Sequence, residues 1–289
     1  MNKMKILITG ANGQLGSEIR LLSPNYNTFE WVFLDKKKLN LSDLINLETK
    51  LEVISPNIII NTAAYTNVEK AEHERKISNS INHHAVSIIA NWSFNNNVKF
   101  IHFSSDFVYP GNTINPLKES DITNPVNYYG LTKILGEKKC LLNNPNSIVI
   151  RTSGNFSVYG NNFVNRILKK MQNEKMINVV DDQIFSPTYV KDLASAVMSI
   201  LCNKNWVSGI YNYSNLGKTS WYKFAIDIRS ISGLECLINP VSLLEFNSDV
   251  KRPKYTLLDK TKIMKTYSIS IPHYKLGLKK CIKNIINEK

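Results

Sequence analysis

The chain has 289 residues, of which 43% are hydrophobic and 20% charged, an ordinary globular composition with length for one large or two modest domains. The net charge is +13, from 36 Lys+Arg against 23 Asp+Glu. The basic residues are scattered, however, with short clusters at Lys36-Lys37-Lys38 and Lys279-Lys280, so the excess reads as compositional bias and not as a nucleic-acid footprint. No apolar run approaches the ~18 residues of a membrane span, and Thr9, Gly10 and Asn12 interrupt the N-terminal apolar stretch before it reaches signal-peptide length.

In chain order, Met4 to Thr9 is an apolar run of strand length. It leads into Gly10-Ala11-Asn12-Gly13-Gln14-Leu15-Gly16, and a helix start follows from Ser17. A strand, a glycine-rich turn and a helix N-terminus together hold a diphosphate: the turn lets phosphate oxygens approach, and the helix offers free N–H groups and its positive dipole end. Further strands are expected at Trp31–Leu34, ending at Asp35, and at Asn57–Asn61, Val98–Phe103 and Ser147–Arg151. Helix-length stretches, Ser42–Ile54 and Glu69–Asn95, lie between them. Such alternation implies a parallel sheet covered on both faces, with ligands beyond the carboxyl ends of its strands, where Asp35, Asn61 and Ser104 stand. The second half alternates less cleanly, with helical patterns at Asn161–Gln172 and Ser220–Ile231 punctuated by Pro187, Pro240, Pro253 and Pro272. The expected fold class is α/β, a Rossmann doubly wound parallel sheet with a smaller C-terminal α/β substrate-binding lobe. The division is drawn at 1–151 for the dinucleotide-binding domain and 152–289 for the substrate-binding lobe, the two interleaved. The four cysteines, Cys140, Cys202, Cys236 and Cys281, are far apart and read as reduced thiols. With no membrane segment expected, they point to a cytoplasmic protein.

Tyr129-Gly130-Leu131-Thr132-Lys133 places a phenol and an ammonium on one helical face. A tyrosine of ordinary pKa, ~10, is a poor acid or base near neutrality. A neighbouring lysine charge is expected to lower that pKa and let the phenol exchange a proton with a carbonyl or alcohol oxygen. Ser104-Ser105-Asp106 at a strand end supplies a hydroxyl to polarise the same oxygen.

With these blocks in hand, the sequence resembles the dTDP-4-dehydrorhamnose reductase family of extended short-chain dehydrogenases/reductases. The resemblance is carried by Gly10 to Gly16, Asn61 to Glu72, Ser104 to Tyr109, Tyr129 to Glu137, Arg151-Thr152-Ser153, Asp182 to Thr188, Thr219 to Ala225 and Arg252-Pro253, in order along nearly the whole chain. It implies reduction of a 4-keto nucleotide sugar with NADPH or NADH. Ser105, Tyr129 and Lys133 fall on the family's catalytic positions. Gly10, Gly13 and Gly16 fall on its phosphate loop, with Asn12, Gln14 and Leu15 beside the diphosphate. Ala63, Ala64 and Tyr65 line the adenosine and ribose, and Asp35 and Asn40 serve the ribose and the adenine side. Tyr129 and Lys133 also reach the cofactor. Ser105, Asp106, Phe107, Asn155 and Arg252 are the expected substrate-facing residues.

Two departures touch the sugar pocket. Phe107 stands where the family usually has Tyr, and Gly154 follows Arg151-Thr152-Ser153 where it usually has Trp. The missing indole is expected to leave room, which Phe156 is a candidate to fill. Alternatives are an epimerase or dehydratase of the same superfamily and a non-catalytic nucleotide-binding regulatory subunit. A dehydratase pairs two acids beside the catalytic hydroxyl, whereas Asp106 here precedes Phe107. No metal site is expected: His83 and His84 are helix neighbours whose rings should point apart, and Asp181-Asp182 reads as a solvated turn. Trp221, Tyr222 and Phe224 are expected to pack a helix on the core. The partner is a nucleotide sugar, with neither nucleic acid nor membrane, and a homodimer is left open as the assembly.

Overall fold

The structure is a computed structural model that describes residues 3–245 and 250–287. The strands are β1 (Met4–Thr9), β2 (Phe29–Leu34), β3 (Ile58–Asn61), β4 (Lys99–Ser105), β5 (Ile148–Thr152), β6 (Asn155–Phe156), β7 (Met176–Val180), β8 (Ile184–Phe185), β9 (Thr188–Tyr189), β10 (Gly209–Tyr213), β11 (Thr219–Ser220) and β12 (Leu237–Val241). The helices are α1 (Gln14–Leu22), α2 (Leu47–Ile54), α3 (Val68–Ala71), α4 (Arg75–Asn79), α5 (Ala85–Asn95), α6 (Tyr128–Asn143), α7 (Phe163–Asn173), α8 (Val190–Cys202), α9 (Trp221–Ser232), α10 (Thr261–Tyr267) and α11 (Tyr274–Asn287).

Six strands form one parallel sheet in the order β10-β5-β4-β3-β1-β2. Its central strands are apolar on both faces, as burial under helices on both sides demands. Ile6, Ile8, Ile60 and Ile150 point into one core and Leu7, Ile59, Phe100 and Val149 into the other. The order reverses around β1, which has β2 on one side and β3 on the other, so a crevice opens at the carboxyl ends of these strands. This is the Rossmann architecture.

The smaller lobe is built from three two-stranded pairs, β6-β9, β7-β12 and β8-β11. It has its own core, with Phe156, Phe185, Phe224 and Leu278 buried among α7, α9 and α11. The chain beyond residue 151 also returns to the large sheet. There β10 pairs with β5, and α8 packs on α1. No described helix is long and apolar enough to cross a membrane. All four cysteines are free thiols.

Two expected helices are shorter than their sequence patterns. The Ser42–Ile54 stretch is helical from Leu47 because side chains take over the backbone's partners ahead of it. Asn40 Oδ1 accepts the Ser42 N–H at 3.1 Å, and Asn46 donates to Asp43 at 3.0 Å. The Glu69–Asn95 stretch is broken into α3, α4, a π-helical turn at Ser80–His84, and α5. The π turn coincides with Asn82, whose amide accepts the Tyr65 N–H and donates to the Tyr65 carbonyl, both at 2.9 Å, and donates to Thr132 Oγ1 at 3.0 Å. The same turn corrects the expectation for His83 and His84. Their rings stack with centroids 4.5 Å apart instead of diverging, and Asn79 bonds both.

Helix α6 is pinned to the sheet by a buried ion pair. Arg151 Nε and Nη2 reach Glu137 Oε1 at 2.7 Å each, and both side chains are within 3% of full burial. Arg151 Nη1 also donates to Tyr109 Oη at 2.7 Å. Removing one member of such a pair leaves an uncompensated charge, at about 3–5 kcal/mol. Arg151→Leu should therefore lower the Tm by on the order of 10 °C. A change of a degree or two in thermal unfolding would show that the pair does not hold α6 in place.

Candidate active site

Ser105 ends β4, and register places it opposite Thr152 at the end of β5. The chain then tightens into a short 3-10 turn over Asp106–Val108, in which Ser105 Oγ accepts the Phe107 N–H at 3.2 Å. Helix α6 starts beside this turn. Its N-cap is Asn127, whose Oδ1 accepts the Gly130 N–H at 2.8 Å. A Cβ on Gly130 would lie 2.2 Å from the Phe107 carbonyl oxygen, so this glycine lets the helix come down onto the Ser105–Phe107 segment. Tyr129 is thereby hydrogen-bonded to Ser105 and meets Phe107 edge to face, with ring centroids 5.8 Å apart.

Lys133, one turn further along α6, is 2% exposed and donates to the Phe103 carbonyl at 2.7 Å. Burial pulls its ammonium down to about 8, against the Glu137 carboxylate, which holds it up. Burial pushes the Tyr129 phenol up to about 12; the Ser105 hydrogen bond opposes that rise and the Asp106 charge adds to it. The expected lowering of the phenol by Lys133 is not what this geometry gives. The ammonium is bonded to a backbone carbonyl, and desolvation dominates at Tyr129.

Asp106 is 5% exposed. Ser105 Oγ donates to its Oδ1 at 3.1 Å and Ser153 Oγ to its Oδ2 at 2.6 Å. Burial raises its pKa; bonds from Ser153, Thr256 and Ser105 oppose the rise. Phe107 is half-buried and faces Tyr129 with a bare ring.

The glycine loop lies at the carboxyl end of β1. Gly10 has φ +63°, and a Cβ there would sit 2.7 Å from the backbone of Ala63, so the loop and the segment after β3 touch through bare backbone. Gly13 caps α1 without a side-chain hydrogen bond, leaving the helix N-terminus without a side-chain cap. Gly16 closes against Ala11, and Leu15 packs on the sheet core. Asn12 donates to Asp35 Oδ2 at 2.9 Å, and the Lys37 and Lys38 N–H groups reach Asp35 Oδ1 at 3.1 Å. These backbone bonds keep the Asp35 carboxyl below its ordinary range. Gln14 turns towards the smaller lobe, accepting from Asn162 at 3.2 Å and Ser157 at 3.3 Å.

Other expected site residues are already engaged. Asn40 Oδ1 is spent on Ser42, Asn155 Oδ1 accepts from Thr152 Oγ1 at 2.9 Å, and Tyr65 Oη donates to Glu74 at 2.6 Å. Ala64 follows Ala63 into the segment before α3 and is partly buried. Arg252 forms an ion pair with Glu69 of α3. Asn61 is 1% exposed and links Thr9 to His102 inside the sheet, so it does not face the crevice. Asp181 and Asp182 accept from Ser220 and from the Leu243 N–H, and so are occupied as turn caps. No group of three or more His, Cys, Asp or Glu able to hold a metal occurs among the described residues.

The sequence reading passed over Glu137, Ser153 and Thr256. Glu137 continues the spacing of Tyr129 and Lys133 by one more turn, a signal that was available. Ser153 and Thr256 reach Asp106 from distant segments, and no local pattern marks them.

The family model described as RmlD substrate binding domain matches residues 4–287. The chain belongs to the dTDP-4-dehydrorhamnose reductase family. It is 34% identical over 285 residues to the dTDP-4-dehydrorhamnose reductase of Aggregatibacter actinomycetemcomitans, covering 95% of this chain and 97% of that one. It is 38% identical over 256 residues to the spore coat polysaccharide biosynthesis protein SpsK of Bacillus subtilis, covering 88% of each. The crystal structure of dTDP-4-dehydrorhamnose reductase from Bacillus anthracis in complex with NADP superposes with a TM-score of 0.93 at 32% identity, covering 98% of this chain and 100% of that one.

In this family member, the space expected beside Gly154 is filled. Gly154 has φ +53°, and a Cβ there would lie 2.3 Å from Cε2 of Phe185. Phe156 does not fill that space; it is fully buried in the lobe core, stacked on Tyr189 at 5.4 Å. A side chain at 154 thus meets both left-handed strain, about 1–2 kcal/mol, and overpacking, about 1–3 kcal/mol. Gly154→Trp should lower the Tm by on the order of 5–10 °C. Unchanged thermal stability would mean that Phe185 moves aside freely.

Proposed function

We propose that this chain reduces the 4-keto group of a dTDP-linked 6-deoxy sugar, the reaction for which its relatives are named, using NADPH or NADH. The observation that carries the reading is the meeting of Ser105 and Tyr129 hydroxyls at the carboxyl end of β4, with Lys133 buried one turn below. The cofactor fits what the chain offers: a bare-backbone loop at Gly10, a helix N-terminus without a side-chain cap, and a strand-end carboxylate at Asp35. When bound, the nicotinamide supplies the reducing equivalent for the sugar C4.

The residues supply the remainder. Gln14, Leu15 and Gly16 present backbone N–H groups to the diphosphate. Ser105 turns its single hydroxyl proton from Asp106 to the ketone oxygen and polarises it. Tyr129 holds its proton at neutral pH, because burial keeps the phenol near 12. It gives that proton to the oxygen as negative charge develops there. Lys133 remains largely charged below about 8 and supports the loss of that proton. Asp106 holds Ser105 in place through the 3.1 Å bond between them until the ketone takes over that proton. Arg252 changes partner from Glu69 to the substrate's anionic group. Asp35 and the three lysines after it act in opposite directions on an adenosine 2′-phosphate, which supports use of both cofactors.

The serine, tyrosine and lysine together weigh against a non-catalytic subunit, which needs none of the three. Phe107 beside Asp106 weighs against a dehydratase, because a bare ring can neither give nor take a proton. The free thiols fit a cytoplasmic setting.

The test follows consumption of reduced nicotinamide with dTDP-4-dehydrorhamnose as substrate. Wild-type protein should turn it over, and Tyr129→Phe should lose ~10²–10⁴-fold in kcat while binding NADPH as before. Near-normal turnover by the variant removes Tyr129 from the reaction. Absence of turnover by the wild type overturns the substrate assignment.

A further inference from the structure

Asp106 is a buried carboxyl with no cation beside it: none of the ion pairs among the described residues includes it. A carboxylate taken out of water needs hydrogen-bond donors in place of solvent. Here the side-chain donors are hydroxyls, and they converge from three segments. Ser105 Oγ at the end of β4 donates to Oδ1 at 3.1 Å, and Ser153 Oγ, just past β5, donates to Oδ2 at 2.6 Å. The Thr256 hydroxyl donates from the segment ahead of α10. Ser153 and Thr256 are 2% and 4% exposed, so both hydroxyls are shielded from water.

Both residues are held by their backbones. The Ser153 carbonyl accepts from Thr188 Oγ1 at 2.6 Å. The Thr256 N–H donates to the Ile184 carbonyl at 2.8 Å, and the Ile184 N–H donates to the Lys254 carbonyl at 2.7 Å, so β8 clasps the segment that carries Thr256. Ser153 and Thr256 are therefore fixed donors, whereas Ser105 has a proton to move. In the reduction its single hydroxyl hydrogen leaves Asp106 for the ketone oxygen. Oδ1 then loses its side-chain donor while the carboxylate stays buried. The charge is left to Ser153, Thr256 and the Asp106 N–H. Each of these bonds lowers the cost of the exchange, because an under-satisfied buried charge is far more costly than a satisfied one.

We propose, resting on the reductase reading, that Ser153 and Thr256 are positioning residues of the reaction: they keep the Asp106 carboxylate satisfied while Ser105 lends its proton to the ketone. No covalent bond changes at Asp106. The Ser105 hydroxyl rotates, one hydrogen bond breaks at Oδ1 and another forms at the ketone oxygen. Without either fixed donor the carboxylate grips the Ser105 proton more strongly, and the ketone is less polarised as the hydride arrives. The loss falls on the hydride step and spares substrate binding, so it belongs to kcat and not to KM.

The test measures kcat, KM and the isotope effect of NADPH deuterated at the transferred position, with dTDP-4-dehydrorhamnose and the full chain. Thr256→Val, which keeps the shape and removes the hydroxyl, should lose about tenfold in kcat, as expected for one donor withdrawn from a buried charge. Its KM should stay within about twofold of wild type, and its isotope effect should rise because hydride transfer has become slower. Ser153→Ala should behave alike; if it does not fold, the valine variant decides the matter. Thr256→Ser restores the hydroxyl and should return kcat to within about twofold of wild type. In a Ser105→Ala background, where there is no proton to lend, Thr256→Val should cost less than about twofold more. Wild-type kcat in Thr256→Val overturns the proposal. So does a serine variant as slow as the valine one, a loss of rate with an unchanged isotope effect, or full additivity with Ser105→Ala, since the hydroxyl would then serve the fold alone. A wild type that turns over no 4-keto nucleotide sugar overturns the reductase reading and the proposal with it, whereas an active wild type with an unimpaired valine variant overturns the proposal alone.

Discussion

The site depends on one face of α6. Tyr129, Lys133 and Glu137 follow one another at a spacing of four, so the helix turns all three to the sheet. The first meets Ser105, the second the Phe103 carbonyl, and the third Arg151 on β5. Burying charged groups costs several kcal/mol each unless they are paired and hydrogen-bonded. The stripe meets that condition at one register of helix against sheet. A slide of α6 by one turn would leave Glu137 facing apolar strand and Lys133 without its carbonyl. The ion pair therefore acts as a register mark, and the catalytic candidates inherit their position from it.

Around this face the molecule is stitched across the crevice by polar contacts. Gln14 after the glycine loop accepts from Ser157 and Asn162, Asn127 donates to the Lys251 carbonyl at 3.0 Å, and Glu69 pairs with Arg252. Each joins the large-sheet half to the smaller lobe. The apolar interiors of the two halves are separate, with isoleucines on the sheet and stacked aromatics in the lobe. Packing makes each half rigid. The two halves meet through polar bonds, and in the proposed function Arg252 would exchange its Glu69 partner for the substrate diphosphate, held in bidentate fashion.

Much of this was legible in the sequence. Each large-sheet strand in the first half lies within two residues of its expected span, because a strand buried on both faces must be a continuous apolar run. The Tyr129 and Lys133 pairing on one helix face followed from spacing alone. The breaks in Glu69–Asn95 were hidden because they come from Asn82 reaching back to Tyr65 and across to Thr132, contacts between residues far apart in the chain. The filled space at Gly154 was hidden for the same reason: Phe185 is distant in sequence, and its pattern is that of an ordinary buried strand residue. The direction of the Tyr129 pKa was misjudged because spacing shows that a lysine is near, but not that a backbone carbonyl has claimed it.

The coupling of the structural stripe to the chemistry is open to one direct measurement, the pH dependence of kcat/KM for sugar reduction in wild type and in Glu137→Gln. In the proposed function Lys133 acts as a cation, and burial pulls its pKa down to about 8, so the wild-type profile should fall on the basic side of about that pH. The Glu137 carboxylate holds that value up against burial. Neutralising it lowers the Lys133 pKa further, and the basic limb of the variant should move to lower pH. A limb at the same pH in both proteins, or rates that stay level from neutrality well past 8, would contradict the claim that the buried face of α6 sets the charge of Lys133, the proposed catalytic lysine.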